Sequence, residues 1–189
     1  MLSVNREGKV SLFALLPDPI FAYPGEFDSD AVPTSLAEDG DGNIYVGTLA
    51  SAIPDGASVF VYKPNGGKPI DRIFGFSQIT GLAVGPDGSL YVSELFAGGD
   101  PGDLAAPPGQ LTKVAPNGER TTIRVPFPAG GAVDRWHNVY VAAWSVAPAD
   151  GLLASDGTAV PDSDGQSGGC GSSWLKRWIR VSWPGPGDW

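Results

Sequence analysis

The sequence predicts an all-β chain of tandem four-stranded antiparallel β-propeller blades, three to four in number and incomplete as a ring. Three observations carry that prediction. A glycine/aspartate turn octet recurs three times, with Tyr45, Tyr91 and Tyr140 spaced by 46 and then 49 residues, close to the period of a propeller blade. A second turn, ending in Gly8, Gly66 and Gly118, alternates with it at spacings of 58 and 52 residues. The 27 glycines and 18 prolines are scattered between short apolar runs, the composition of many turns joining short strands.

The octets are Asp39-Gly-Asp-Gly-Asn-Ile-Tyr45-Val, Gly85-Pro-Asp-Gly-Ser-Leu-Tyr91-Val and Asp134-Arg-Trp-His-Asn-Val-Tyr140-Val. Each follows an apolar run (Ser35-Leu-Ala37, Gly81-Leu-Ala-Val84, Gly131-Ala-Val133), so each reads as a hairpin whose turn needs a left-handed residue. These hairpins supply the first two strands of a blade. The second type, Val59-Phe-Val-Tyr-Lys-Pro-Asn-Gly66 and Leu111-Thr-Lys-Val-Ala-Pro-Asn-Gly118, has turn chemistry of its own and supplies the outer two. Residues 1–166 therefore divide into an outer hairpin at 2–16, blades at 34–76 and 79–127, and an inner hairpin at 131–145. The chain reads as a fragment that begins and stops mid-blade. Long insertions at Thr48–Ala57, Glu94–Gly109 and Ser145–Gln166 mark the loop face where a rigid scaffold carries binding residues.

Charge and composition exclude several function classes. Twelve Lys and Arg against 21 Asp and Glu give a net charge of −9, and with no basic stripe to release counterions a nucleic-acid partner is not expected. No stretch approaches the roughly 20 apolar residues of a spanning helix, so the chain is not read as an integral membrane protein. The start, Met1-Leu-Ser-Val-Asn-Arg, has no export-signal pattern. Cys170 is the sole cysteine and can form neither an internal disulfide nor a thiolate cluster.

Residues 167–189 depart from the repeat. They hold four of the six tryptophans, and from Trp174 onward Lys176, Arg177 and Arg180 stand against one acid, Asp188. Three readings are open: a further outer hairpin with strands between Trp174 and Trp183, a basic aromatic anchor for a membrane surface or acidic partner, or a disordered segment left by a departure of the coding frame. The last is preferred, because the Pro-Asn-Gly turn is missing.

Candidate chemistry is sparse. Asp39, Asp41 and Asn43 place oxygens at alternate positions, as calcium requires, but without a distal bidentate glutamate; the next blade has Gly-Pro-Asp-Gly-Ser in the same slot, so an ordinary turn is the stronger reading. No other cofactor is implied. His137, the only histidine, falls where the other octets carry the turn glycine and is expected to be exposed and unpaired, with Trp136 beside it as a ligand contact. Glu94 ends a strand and opens the longest insertion within a complete blade; Asp100 and Asp103 in that insertion could join it around a metal or as acid and base. No nucleophile elbow, phosphate loop or CxxC motif is present.

Taken together, Pro33-Thr-Ser-Leu-Ala, Asp-Gly-Asn-Ile-Tyr-Val-Gly, Gly-Leu-Ala-Val-Gly-Pro-Asp-Gly-Ser-Leu-Tyr-Val-Ser-Glu-Leu and Val-Ala-Pro-Asn-Gly-Glu-Arg-Thr resemble the ScyD/ScyE family over residues 1–166. The resemblance implies an NHL-type propeller of about six blades, often exported, with no catalytic residues to carry over, and hence an extracellular location. Related propellers include calcium-dependent sugar-lactone hydrolases and an antibiotic lyase, whose metal ligands and His/Glu pairs find no clear match here. The expected function is a non-catalytic scaffold binding a small molecule or protein, with a metal-dependent hydrolase or lyase using Glu94 as the alternative and a non-functional product as the remainder. The open edges of a partial ring also predict self-association.

Overall fold

The computed structural model describes residues 1–17, 30–98, 108–146 and 177–181. The chain is all-β, as the repeat requires: among the described residues the only helical element is a single 3-10 turn, Ala50–Ala52, and no helix is long and apolar enough to cross a membrane. Its strands are β1 (Leu2–Val4), β2 (Val10–Leu12), β3 (Pro33–Glu38), β4 (Ile44–Thr48), β5 (Ala57–Tyr62), β6 (Asp71–Phe76), β7 (Ile79–Val84), β8 (Leu90–Glu94), β9 (Gln110–Val114), β10 (Arg120–Arg124), β11 (Gly131–Val133), β12 (Val139–Ala143) and β13 (Arg177–Val181).

Strands β3 to β6 form blade I and β7 to β10 form blade II, each an antiparallel sheet paired in chain order. β11, β12 and β13 make a three-stranded sheet, while among the described residues β1 and β2 form a two-stranded sheet of their own. This is an incomplete β-propeller. Burial follows position in the blade: β5 is buried at all six residues, whereas β10, an outer strand, alternates exposed and half-buried, as a one-sided edge strand should.

Two apolar seams hold the blades together. Between blades I and II, Ile79, Leu82, Leu90, Val92 and Val114 lie in one cluster with Val46, Val59 and Phe76. Between blade II and the third sheet, Tyr91 and Leu111 pack with Val139 and Val141. Each large side chain buried in these seams contributes about 1.5–3 kcal/mol of transfer free energy. Polar contacts repeat with the blades. The Thr34 hydroxyl donates across the first seam to the Ile79 carbonyl at 2.5 Å, and the equivalent Thr80 donates across the second to the Pro128 carbonyl at 2.8 Å. The third equivalent by register is Ala129, which has no hydroxyl. Farther out, Arg120 lies over the Phe76 ring at 4.5 Å and donates to the Phe74 and Gly75 carbonyls.

The β1–β2 hairpin is fastened to blade I through the residues that follow it. Gly67 N–H donates to the Phe13 carbonyl at 3.0 Å, and the Phe13 and Tyr62 rings meet edge-on at 6.2 Å. Gly66 permits this approach, because a Cβ there would run into the Phe13 carbonyl oxygen, and its φ of +73° is left-handed. Of the atypical tail, β13 pairs along all of β12, from Val139↔Val181 to Ala143↔Arg177. It is reached after 33 intervening residues, against 8 between β4 and β5 and 15 between β8 and β9.

Candidate functional site

The candidate residues fall at opposite ends of the blades. Glu94 closes β8 at the loop end, whereas His137 sits at the turn end, near Asp87 in the β7–β8 turn. The five residues of β8 span roughly 17 Å at the usual rise per residue, so Glu94 does not join Trp136 and His137. Asp100 and Asp103 lie outside the described residues.

Glu94 is a buried acid, 3 % exposed, and its donors explain how it can be. One oxygen, Oε2, accepts the Ser77 N–H at 2.8 Å. The other accepts from Gln110 Nε2 at 2.9 Å and Thr112 Oγ1 at 2.5 Å. A buried carboxylate is tolerable when several donors meet it. Ser77 belongs to the linker between blades, and its hydroxyl accepts the Asp55 N–H at 2.9 Å, so Glu94 ties linker, β8 and β9 into one network. The equivalent positions support this role. In the third sheet the linker residue is Pro126, with no N–H to satisfy, and the position of Glu94 is taken by Ala143. In blade I it is Thr48, buried, exchanging hydrogen bonds of 3.0 Å with the Ser58 backbone N–H and carbonyl.

At the turn end, aspartate organises each octet. Asp39 Oδ1 accepts the Asp41 and Asn43 N–H groups, both at 2.9 Å, and Oδ2 accepts the Asn43 amide at 2.8 Å. Burial pushes the Asp39 carboxyl up, but the Asn43 side chain, the Asn43 and Asp41 N–H groups and the Tyr45 hydroxyl outweigh it, and the pKa lies below the ordinary 3.8. Asp134 holds Trp136, Asn138 and the Asn138 amide in the same pattern. The triad Asp39, Asp41, Asn43, read in the sequence as calcium-loop-like, is thus a turn whose carboxylate already faces N–H donors, with Asn43 Oδ1 left as a buried acceptor without a partner. Among the described residues no three His, Cys, Asp or Glu side chains converge as a metal cluster.

His137 has φ +65°, where the matching turns have Gly42 at +79° and Gly88 at +78°, so its place at the glycine position of the turn is as the octet alignment requires. Its expected isolation is corrected: Nδ1 lies 3.8 Å from Asp87 Oδ1, across the seam. Lys113 Nζ is 3.8 Å from the other Asp87 oxygen. Burial raises the Asp87 carboxyl, but the Ser89 N–H and hydroxyl, Lys113 and His137 outweigh it and hold the pKa below the usual aspartate value. Tyr91 is pushed up to about 12, first by burial and then by the Asp87 charge. Trp136 is 67 % exposed, with the Arg135 guanidinium 4.0 Å over its ring. Where the other turns read Gly40-Asp41-Gly42 and Pro86-Asp87-Gly88, this tip carries Arg135, Trp136 and His137.

Sequence reasoning missed Asp87 and the donors to Glu94. Lys113 and Asp87 carried no signal, but the Pro126/Ala143 and Ser77/Glu94 pairs did, in the aligned repeat. Between blade II and the third sheet lies an apolar crevice lined by residues such as Leu82, Tyr91, Leu111 and Val141, and it does not admit a water molecule.

Comparison with known proteins places the fold. The family model described as two component regulator propeller matches residues 26–50. A gluconolactonase of Xanthomonas campestris superposes with a TM-score of 0.52 at 20% identity, covering 84% of this chain and 52% of that one. Virginiamycin B lyase from Staphylococcus aureus gives 0.48 at 13% identity, over 84% of this chain and 46% of that one. Regucalcin of Agrobacterium tumefaciens, described as a calcium-binding protein, gives 0.45 at 13% identity, over 79% and 46%. The chain spans about half the length of these proteins, and at such identities the likeness shows the fold alone. No curated protein matches the sequence.

Proposed function

We propose that the chain is a non-catalytic propeller scaffold of ScyD/ScyE type that binds a small molecule or a protein through exposed side chains at the blade ends. The observation that carries this reading is the Arg135-Trp136-His137 tip. It keeps a 67 % exposed indole and a left-handed histidine in a turn where the matching units use glycine, a choice that costs stability, about 1 kcal/mol or more for the strained residue. An exposed aromatic backed by a guanidinium is a contact surface for a ring or an extended chain. The same reading assigns Glu94 to structure, since its three described donors belong to the blade and to the linker that leads into it. It calls for no cofactor, and the turn N–H groups already accepted by Asp39 support a structural turn over calcium at Asp39, Asp41 and Asn43. An extracellular location belongs to the proposal through the family resemblance alone.

The test is a thermal-shift screen against soluble polysaccharides, aromatic metabolites and lactones, run on the wild type and on Trp136→Ala. A ligand that raises the wild-type melting temperature and loses its effect in the variant is the expected result. Turnover of a lactone or a lyase substrate by the wild type, abolished in Glu94→Gln at unchanged melting temperature, would replace this reading with the metal-dependent hydrolase or lyase.

A further inference from the structure

The β1–β2 hairpin has the form of an outer hairpin, and β11–β12 that of the inner pair of a blade. In both complete blades, the outward edge of the second strand takes the first strand of an outer hairpin: Tyr45 pairs with Val61 and Tyr91 with Lys113. The hairpin β1–β2 matches the outer hairpin β9–β10 residue for residue at its turn. Asn5 N–H donates to the Lys9 carbonyl and Gly8 N–H to Asn5, as Ala115 N–H donates to Glu119 and Gly118 N–H to Ala115. Gly8 and Gly118 are both left-handed. By this correspondence Ser3 stands for Lys113 and Val4 for Val114.

The exposed face of the hairpin points the same way. Leu2↔Leu12 and Val4↔Val10 are cross-strand pairs on one face, and these four side chains are 68, 64, 66 and 55 % exposed. The counterpart of Val4 in blade II, Val114, is buried in the seam toward the preceding blade. Val139 and Val141 of β12 are buried on the corresponding face against blade II. A two-stranded hairpin with such a face is marginal alone.

We propose that the hairpin β1–β2 of one copy completes the third sheet of a second copy, so that two copies close into one ring. The register taken from blade II puts Ser3 opposite Tyr140 of the partner subunit and carries Leu2 and Val4 onto the apolar face of β12. The ring then holds two whole blades from each copy and two shared ones, six in all, within the roughly four to eight typical of closed propellers. Such closure is two-fold symmetric and removes the open edges. β13 holds the same β12 edge within its own chain, so the tail strand and the partner's hairpin compete for it. This inference stands apart from the ligand-binding reading.

The test uses the full chain in size-exclusion chromatography with light scattering, over a concentration series. The expected result is a monomer of 19.6 kDa passing to a dimer of twice that mass, with no larger species. Val4→Asp and Leu12→Asp, at exposed positions, should leave the melting temperature of the monomer unchanged and weaken dimerisation at least tenfold. Ile179→Pro, which disrupts β13, should strengthen it. In a Cys170→Ser background, the pair Ser3→Cys and Tyr140→Cys should cross-link two chains, whereas Ser11→Cys with Tyr140→Cys should not. A monomer at every soluble concentration, a dimer indifferent to Val4→Asp, a ladder of higher oligomers, or a dimer lost in Ile179→Pro would each overturn the proposal.

Discussion

Replacing Glu94 by alanine strips the acceptor from three donors at once: the Ser77 N–H, the Gln110 amide and the Thr112 hydroxyl. A buried polar group left without a partner costs about 1–3 kcal/mol, while removing the buried carboxylate relieves part of its desolvation. The net loss expected is about 3 kcal/mol. At roughly 2–4 °C per kcal/mol for a chain of this length, the melting temperature should fall by about 6–12 °C in scanning calorimetry. The repeat supplies its own control. Ser77→Pro with Glu94→Ala recreates the Pro126 and Ala143 pair of the third sheet, removing the orphaned N–H, so the double variant should lose less than the sum of the two single ones. Glu94→Ala melting within about 1 °C of the wild type would refute the structural role assigned to this carboxylate.

Three further outcomes follow from the same geometry. Asp39 and Asp87 have folded pKa values below the ordinary 3.8, so the folded state binds fewer protons than the unfolded one; their stabilisation is present above that value and lost as pH falls through the folded pKa. Urea midpoints between pH 5 and 2.5 should therefore drop, and Asp87→Asn should flatten the drop; an unchanged slope would contradict the assignment. His137→Gly relieves a left-handed side chain and gives up only a half-exposed contact with Asp87, worth under about 1 kcal/mol, so chemical denaturation should find it neutral or slightly stabilised, and a loss above about 2 kcal/mol would be inconsistent. Gly66→Ala should push away the Phe13 carbonyl, costing at least about 1 kcal/mol and raising hydrogen exchange across residues 1–16 while blade II keeps its protection.

The blades were legible because their determinants are local. Tyr45, Tyr91 and Tyr140 mark second strands through alternation and turn chemistry that act within ten residues, and the octet alignment put His137 at the glycine position of its turn. What escaped were contacts between units. Glu94 meets a donor 17 residues back and others 16 and 18 residues on, and Asp87 meets His137 only because two turns face each other across a seam. Nothing in the local pattern around Asp87 distinguishes it from a solvated turn aspartate. The sequence sets Trp136 beside His137 at the tip, but its exposure depends on where the tip projects, which the periodicity does not encode.

The hydroxyls of Thr34 and Thr80 make the arc behave as a one-dimensional chain of coupled units, each latched to its successor. In such a chain the cooperativity of unfolding is set by nearest-neighbour coupling, and defects spread from the weakest junction. Ala129 breaks the series. The two junctions inside the molecule are latched alike, so the weaker one is set by packing, and the seam between blade II and the third sheet has the smaller buried cluster. An imbalance in apolar packing thereby gives an otherwise repetitive structure a direction in which it comes apart.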